Sequence, residues 1–423
     1  MRIAVIGAGI GGLACAWALS RRHTVTLLEA RDALGMDAFS IDVPRPGGAA
    51  RVDVPMRVFF PEGYPTLAAL YEAAGIESEA IDYAASFSYL DGELLFRYRN
   101  LRVAGRSFPL LPAGDLLRPR RLRRALEVLR FLRLVRREAR DRATLDALTV
   151  QAWLEEQGFG RAFAEEFVLP AYAGVCTCSY ETLRRYPASV LLAFVDGVLR
   201  SASMCRARHG ARDVVARLSA PVEDVRVATP VAALAVDESE GVRLTLHDGR
   251  TEAFDHVVLA TQATHALPLL PADAAAERRV LARFRYERFE LLVHRDARLA
   301  PAHARPLAPV NFLLAEGSEA PMATLPLNRI HRTLGPEPEL FETWNPLREP
   351  DPSMVDCRVV LDRPVVDRDS LQALAELDAL HAREGRRLWF CGSWAAFGIP
   401  LQETAAASAF AVARRLGVTD LPA

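Results

Sequence analysis

"RIAVIGAGIGGLACAWALSRRHTVTLLEARDALG", residues 2–35, decides the fold. Residues 3–6 read as a short buried strand, and Gly7, Gly9 and Gly12 follow as G-x-G-x-x-G. Residues 13–19 have helical apolar spacing, and residues 24–28 form a second apolar run that ends on Glu29. Strand, glycine turn, helix, strand and acid is the order of a dinucleotide-binding βαβ unit. Gly7 makes the tight turn, Gly9 lets backbone N–H groups approach a pyrophosphate, and Gly12 lets the helix pack on the sheet. The helix N-terminus adds partial positive charge for the phosphates. Glu29 can accept from both ribose hydroxyls, and an acid there argues against a 2′-phosphate, hence against NADP. The motif by itself does not choose between NAD and FAD.

Other stretches return to the same domain. Residues 231–236 and 242–246 alternate as strands and are followed by a turn at Asp248-Gly249, and residues 255–261 form a buried strand ending in a small residue. This is a three-stranded meander feeding back into the dinucleotide sheet. Near the C-terminus, residues 388–391 read as a further strand, followed by Gly392-Ser393 and by an alanine-rich helix that starts at Pro400-Leu401-Gln402. Between these returns lies different material. In residues 118–140 Leu122, Leu126, Leu129, Leu132 and Val135 form an apolar stripe, and the arginines from Arg118 to Arg140 cover the other face. Two readings stand for that helix: a domain helix with a solvated arginine face, or a basic amphipathic helix docked on a membrane surface or a carrier protein. Residues 286–314 read as strands of a second sheet, and residues 371–381 as a helix in a strand-poor stretch. The expected division is therefore discontinuous. Residues 1–60, 205–265 and 385–423 build the cofactor domain. Residues 61–204 and 266–384 build the substrate domain, with a helical subdomain over about 115–200.

The 423-residue chain is 51% hydrophobic and carries a net charge of −1, without the basic surplus of a nucleic-acid binder. All 52 of its basic side chains are arginine. A Schiff-base lysine, a lysine general base and a P-loop lysine are therefore all excluded. The six cysteines have no metal-site or disulfide spacing, and no secretory signal or spanning apolar run is found, so reduced thiols and a cytoplasmic protein are expected.

With these segments located, the chain resembles the flavin amine oxidase / phytoene desaturase superfamily over its whole length. More narrowly it is similar to the bacterial FAD-dependent amine-oxidase-like proteins often encoded beside cyclopropane-fatty-acid-type methyltransferases. The resemblance rests on residues 3–30, on "VDVPMRVFFPEGYPTLAALYEAAGIE" (52–77), on "FDHVVLATQATHALPLL" (254–270), on "LHAREGRRLWFCGSW" (380–394) and on the closing helix. It implies an α/β fold, in which a Rossmann-type FAD-binding domain is joined to a discontinuous α+β substrate domain, amine-oxidase-like, with FAD as cofactor. By the same resemblance Gly7, Gly9 and Gly12 hold the pyrophosphate, Glu29 the adenosine ribose, and Arg31 lies at its edge. Val231 and Ala260 line the adenine side and the sheet end. Gly392 and Ser393 sit by the pyrophosphate and ribityl chain, and Pro400, Leu401 and Gln402 by the pyrimidine end of the flavin. Two departures fall near the flavin: Gly35-Met36-Asp37 replaces a Gly-Gly pair followed by Arg or His, and Val54-Pro55 replaces Thr-Gly.

A flavin dehydrogenase needs few classical side chains, because the cofactor takes the hydride and the protein positions the substrate and excludes water. Arg57, Tyr172 and Trp394 are the candidate catalytic residues, with Met56, Phe59, Trp344 and Phe397 as apolar lining. Arg57 is a charge in an otherwise apolar run read as a strand over 52–60, so it needs a partner. That partner is a substrate carboxylate, the flavin, or Asp53 or Glu62. His209, His256 and His265 are candidate bases, with a solvent-facing or structural role favoured for each. The leading reading is an FAD-dependent dehydrogenase or desaturase acting on a small apolar molecule of the acyl-chain, lipid or polyketide kind. The alternatives are an amine oxidase without the usual lysine, a redox-neutral flavin-dependent isomerase, and a flavin-binding scaffold. No metal site is expected.

Overall fold

β1 (Arg2–Ile6) is apolar and buried at its last four positions. Such continuous apolar runs mark strands covered on both faces of a parallel sheet. β1 pairs in parallel with β2 (Thr24–Leu28) on one side and with His256–Leu259 on the other. Asp224–Arg226 extends the sheet beyond β2, and Leu388–Phe390 extends it beyond His256–Leu259. The five-stranded sheet thus gathers chain from both ends and the middle. The structure is a computed structural model and describes residues 1–45, 48–90, 92–103, 106–237, 241–302 and 306–422.

α1 (Ile10–Leu19) is buried from Gly11 to Leu19 and packs along the C-terminal helix Gln402–Arg415. Close approach needs small residues there: a Cβ on Gly11 would stand 3.2 Å from Gly392 Cα, and Ala405, Ala406 and Ala409 are buried on the opposing helix. The expected meander is present as Val231–Asp237, Gly241–Leu246 and Thr251–Phe254, antiparallel throughout, and it leads straight into His256–Leu259.

A seven-stranded mixed sheet forms the second layer. Its order is Val355–Pro364, Tyr286–His294, Phe341–Trp344, Met322–Pro326, Val310–Leu314, Ala85–Tyr89 and Leu94–Arg97. Helices from residues 119–200 pack against it around Phe87, Phe163, Phe167 and Phe312. The strand Val355–Pro364 runs into the stretch expected to be strand-poor. The helix beyond it spans Arg368–His381, three residues longer than the periodicity indicated, because Asp367 and Ser370 form a capping box at its start.

Two expectations are corrected. Residues 53–58 are irregular rather than strand. Pro55 has no N–H for a ladder, Asp53 turns away to accept the Ala211 N–H at 2.9 Å, and Met56 N–H leaves to donate to Glu342. In the helix Pro119–Glu138 the leucine stripe faces solvent at Leu122, Leu126 and Leu129, while Arg121, Arg124, Ala125, Phe131 and Val135 face the core. Arg121 and Arg124 point inward because Asp115 and Glu166 wait there, and long arginine stems pack like apolar chains. Among the described residues no helix is long and apolar enough to cross a membrane. All six cysteines are free.

Candidate cofactor and substrate site

The glycine turn is built as its spacing requires. Gly7 has φ +99°, and a Cβ on Gly12 would stand 1.8 Å from the Gly7 carbonyl oxygen, so neither position takes a side chain. Gly9 is different. Its backbone is extended (φ −63°, ψ 177°), and an added Cβ would meet nothing within 4 Å. Packing within the protein therefore gives no reason for a glycine there, whereas the close approach of a ligand to the backbone would. No side chain caps α1 and no acid lies in its first turn, which leaves its N-terminal donors for an anion.

The Glu29 carboxylate sits over this turn and accepts from Ala8 N–H at 2.8 Å and Arg31 N–H at 3.0 Å. Glu29 N–H donates to Arg226 and its carbonyl accepts from Thr229, which brings the chain just before Val231 beside the acid. The Arg31 guanidinium lies over the Phe39 ring at 4.3 Å. Ala260 N–H donates to Ile6, and its methyl group floors the Gly12 contact. Gly392 N–H donates to Ser408 Oγ at 3.0 Å, which fixes the loop carrying Ser393 against Gly11. A cradle of small residues, open helix donors and one acid has the features that the adenine dinucleotide half of FAD requires, and Gly7, Gly9 and Gly12 could hold its pyrophosphate and Glu29 its ribose.

The Gly35-Met36-Asp37 departure has a local reason. Met36 is buried in the core beside α1, and Asp37 pairs with Arg51 at 2.9 Å and Arg212 at 3.4 Å. Past the dinucleotide loop the chain turns toward the helix Gln402–Arg415. Glu403 accepts from Thr66 N–H and Leu67 N–H at 3.1 and 2.9 Å, and Tyr71 OH donates to Gln402 Oε1 at 3.4 Å. Met36, Asp53, Arg57, Phe59, Tyr71 and Gln402 line one small cavity.

Arg57 has neither of its expected carboxylate partners. Asp53 is engaged with Ala211, and Glu62 accepts from Ala202 N–H at 3.3 Å. Among the described residues Arg57 donates only to the Pro55 carbonyl, at 3.2 Å, and burial lowers its pKa against the opposing pull of Asp53. Beside it stands Glu342, on the strand Phe341–Trp344 and 1% exposed. It accepts from Met56 N–H at 2.7 Å and Trp344 Nε1–H at 3.0 Å. Burial pushes its pKa up to about 7, against those two bonds and the Arg57 charge. A second arginine, Arg363 on the strand Val355–Pro364, donates only to Thr177 Oγ1 at 3.0 Å among the described residues. Its pKa is lowered first by burial, with Arg57 adding to the effect.

Met56 and Trp344 stand at Glu342 through their N–H groups. Tyr172 and Phe397 pack, partly exposed, on the same second-layer core as Met56 and Trp344, and the Arg142 guanidinium lies over the Phe397 ring. The Tyr172 ring stands 6.2 Å from Phe131, and burial raises its phenol pKa. Burial likewise raises the phenol of Tyr83, which feels the Glu342 charge. Trp394 is placed elsewhere. Its indole N–H donates to the Thr261 carbonyl at 3.0 Å and its ring packs on Phe284 at 4.6 Å, in a separate core on the dinucleotide side. Trp394 and Pro400 line a second small cavity with Phe284, Val366 and Gly398. Among the histidines, His209 and His265 are exposed, and His256 Nδ1 accepts from Trp389 Nε1–H at 3.3 Å. Sequence reasoning missed Glu342 and Arg363. For Glu342 the signal was the one that flagged Arg57, a charge in an apolar run, whereas Arg363 follows Asp362 on a half-buried strand and carried no such signal.

A family model described as flavin containing amine oxidoreductase matches residues 10–284. No curated protein matches the chain. Solved structures share the fold over nearly the whole length at low identity. A cyclohexylamine oxidase from Brevibacterium oxydans has 18% identity and a TM-score of 0.63, covering 98% of this chain and 99% of its own. A fatty acid isomerase from P. acnes that produces CLA has 16% identity and a TM-score of 0.70, covering 98% of both chains.

Proposed function

Because the chain belongs to the flavin-containing amine oxidoreductase family, we propose that it is an FAD-dependent dehydrogenase or desaturase whose substrate is an acyl chain bearing a carboxylate. One observation carries the reading. Arg57 and Arg363 are both desolvated and have no ion pair among the described residues, while burial drives Glu342 toward its neutral form. A site of that charge matches a carboxylate and opposes an ammonium group. The lack of any lysine in the chain also speaks against the lysine-dependent kind of amine oxidation.

FAD, when bound, supplies the hydride acceptor. The chain's own residues do the rest. Arg57 binds and orients the substrate carboxylate, with Arg363 adding positive charge. Met56, Tyr172, Trp344 and Phe397 hold the apolar chain and exclude water. Glu342 takes the proton lost from the carbon next to the oxidised one, and a pKa near neutrality suits a base working at neutral pH.

The test is anaerobic mixing of the purified flavoprotein with long-chain carboxylic acids and, separately, with polyamines. Loss of the oxidised-flavin absorbance with the acids alone supports the proposal, and bleaching by the amines overturns it. Product formed from the acid without bleaching assigns a double-bond isomerisation in place of dehydrogenation, the reading that the fold shared with the fatty acid isomerase keeps in view.

A further inference from the structure

Arg99–Val103 and Arg106–Leu110 form an antiparallel pair that, among the described residues, joins no larger sheet. Directly opposed residues share a face, so the pairs Arg99/Leu110, Leu101/Phe108 and Val103/Arg106 make one face and Asn100/Pro109 and Arg102/Ser107 the other. The second face is anchored: Asn100 Nδ2 donates to Asp82 at 2.8 Å and Ser107 N–H to the Ala202 carbonyl at 2.8 Å. The first face is bare, with Leu101 50% and Phe108 48% exposed and Val103 and Leu110 beside them. A two-stranded pair is marginal in water by itself, and a cluster of large exposed apolar side chains marks an interaction surface.

The chain leaves this pair and enters the helix Pro119–Glu138, whose leucine face is also bare. Leu117 precedes it at 86% exposure, and Leu126 is 59% exposed between Leu122 and Leu129. Asp115 ties the two together by pairing with Arg97, at the root of the strand pair, and with Arg121 in the helix. The charge is one-sided. Residues 99–140 hold thirteen arginines and three acidic residues, in a chain whose net charge is −1. All three acids are engaged within the protein: Asp115 as above, Glu127 with Arg124 at 2.9 Å, and Glu138 with Arg137 at 2.6 Å and the Trp153 indole.

We propose that this face, the Leu101/Phe108 side of the strand pair with the Leu122–Leu126–Leu129 side of the helix, docks on an anionic phospholipid surface. Exposed leucines flanked by arginines, with no free acid, have the pattern of an interfacial segment. The apolar tips enter the acyl boundary and the guanidinium groups stay at the phosphates. Docking does not depend on the flavin chemistry proposed above, although it would place the protein where acyl chains are.

The experiment is co-sedimentation of the full-length flavoprotein with vesicles of equal parts phosphatidylcholine and phosphatidylglycerol, and with phosphatidylcholine alone. Binding to the mixed vesicles and not to the neutral ones, weakening as salt screens the surface charge, is expected. The variant L122S/L126S/L129S should lower the partition coefficient at least about tenfold. The variant R120E/R123E/R133E should lower it about fivefold or more for each arginine reversed. Both sets are exposed, so unchanged thermal midpoints will show that folding is intact. Absence of binding to either vesicle, equal binding to both, or full binding by both variants overturns the proposal. So does finding that the same face instead holds an acidic carrier protein or a second copy of the chain while vesicles remain unbound.

Discussion

The Met56 N–H donates to the Glu342 carboxylate at 2.7 Å, across 286 residues of sequence. This bond ties the irregular segment after the dinucleotide motif to the middle of the seven-stranded sheet. It also holds a buried carboxylate beside Arg57.

Glu342 should set the pH dependence of the reaction. Its folded pKa of about 7 lies above the ordinary 4.5, so the basic form accumulates only as pH rises through neutrality. The ascending limb of kcat/KM should fall near pH 7, and Glu342→Gln should flatten it and lower the rate by about 10² or more. A raised acid pKa adds stability that is complete below the unfolded value and is lost as pH climbs through the folded one. The thermal midpoint of Glu342→Gln should therefore gain on the wild type between about pH 4.5 and 7 and then run parallel to it. An unmoved pH profile would remove Glu342 from the proposed chemistry.

Arg57→Leu should separate binding from folding. An arginine withdrawn from water without a carboxylate partner does not stabilise a fold, so the thermal midpoint should hold or rise. Loss of a charge-assisted contact to the substrate should raise KM for an acyl carboxylate by about 30-fold or more. The methyl ester, which has no charge to lose, should change little. Equal effects on acid and ester would point to packing alone.

Two glycines of one motif should fail in different ways. Gly9→Ala has an allowed backbone and empty space for its methyl group, so the apoprotein should fold normally and release FAD. Gly12→Ala would drive its Cβ against the Gly7 carbonyl at 1.8 Å and should destabilise the fold by more than about 4 kcal/mol. Circular dichroism and the flavin absorbance of the purified proteins read the two outcomes independently. A Gly9→Ala protein that keeps its flavin would contradict the proposed pyrophosphate site.

Trp394→Phe should behave as a packing change. Removing the indole N–H leaves the Thr261 carbonyl without its 3.0 Å partner, at a cost of about 1–3 kcal/mol. Thermal unfolding should report that loss, and KM for the acyl substrate should stay within about twofold. A large KM shift with little loss of stability would return Trp394 to the substrate wall.

How far the sequence could be read depended on the range of the interactions involved. The βαβ unit was legible because its determinants are local: strand, turn, helix and acid lie within residues 2–29, and each glycine's role follows from backbone sterics. The return of residues 255–261 and 388–391 to the same sheet was legible for a similar reason, since fully buried parallel strands write continuous apolar runs. The helix Pro119–Glu138 was placed correctly, but only the Leu132 and Val135 end of its expected apolar stripe is covered, while Leu122, Leu126 and Leu129 face solvent. Its heptad of leucines offers one apolar face and its arginine stems another, and periodicity cannot tell which one the protein will cover. The presence of Asp115 and Glu166 on the inner side decided it.

The sequence by itself determined the strand, glycine turn, helix and acid of a dinucleotide-binding unit, because close backbone approach and helix-end charge are properties of short segments. Only the tertiary structure decided which charges are stranded inside. Asp53 and Glu62 lie near Arg57 in sequence and are taken by Ala211 and Ala202, while Glu342 and Arg363 arrive from distant strands. A buried charge is governed by what surrounds it in three dimensions, since desolvation and pairing depend on neighbours that the order of residues does not specify.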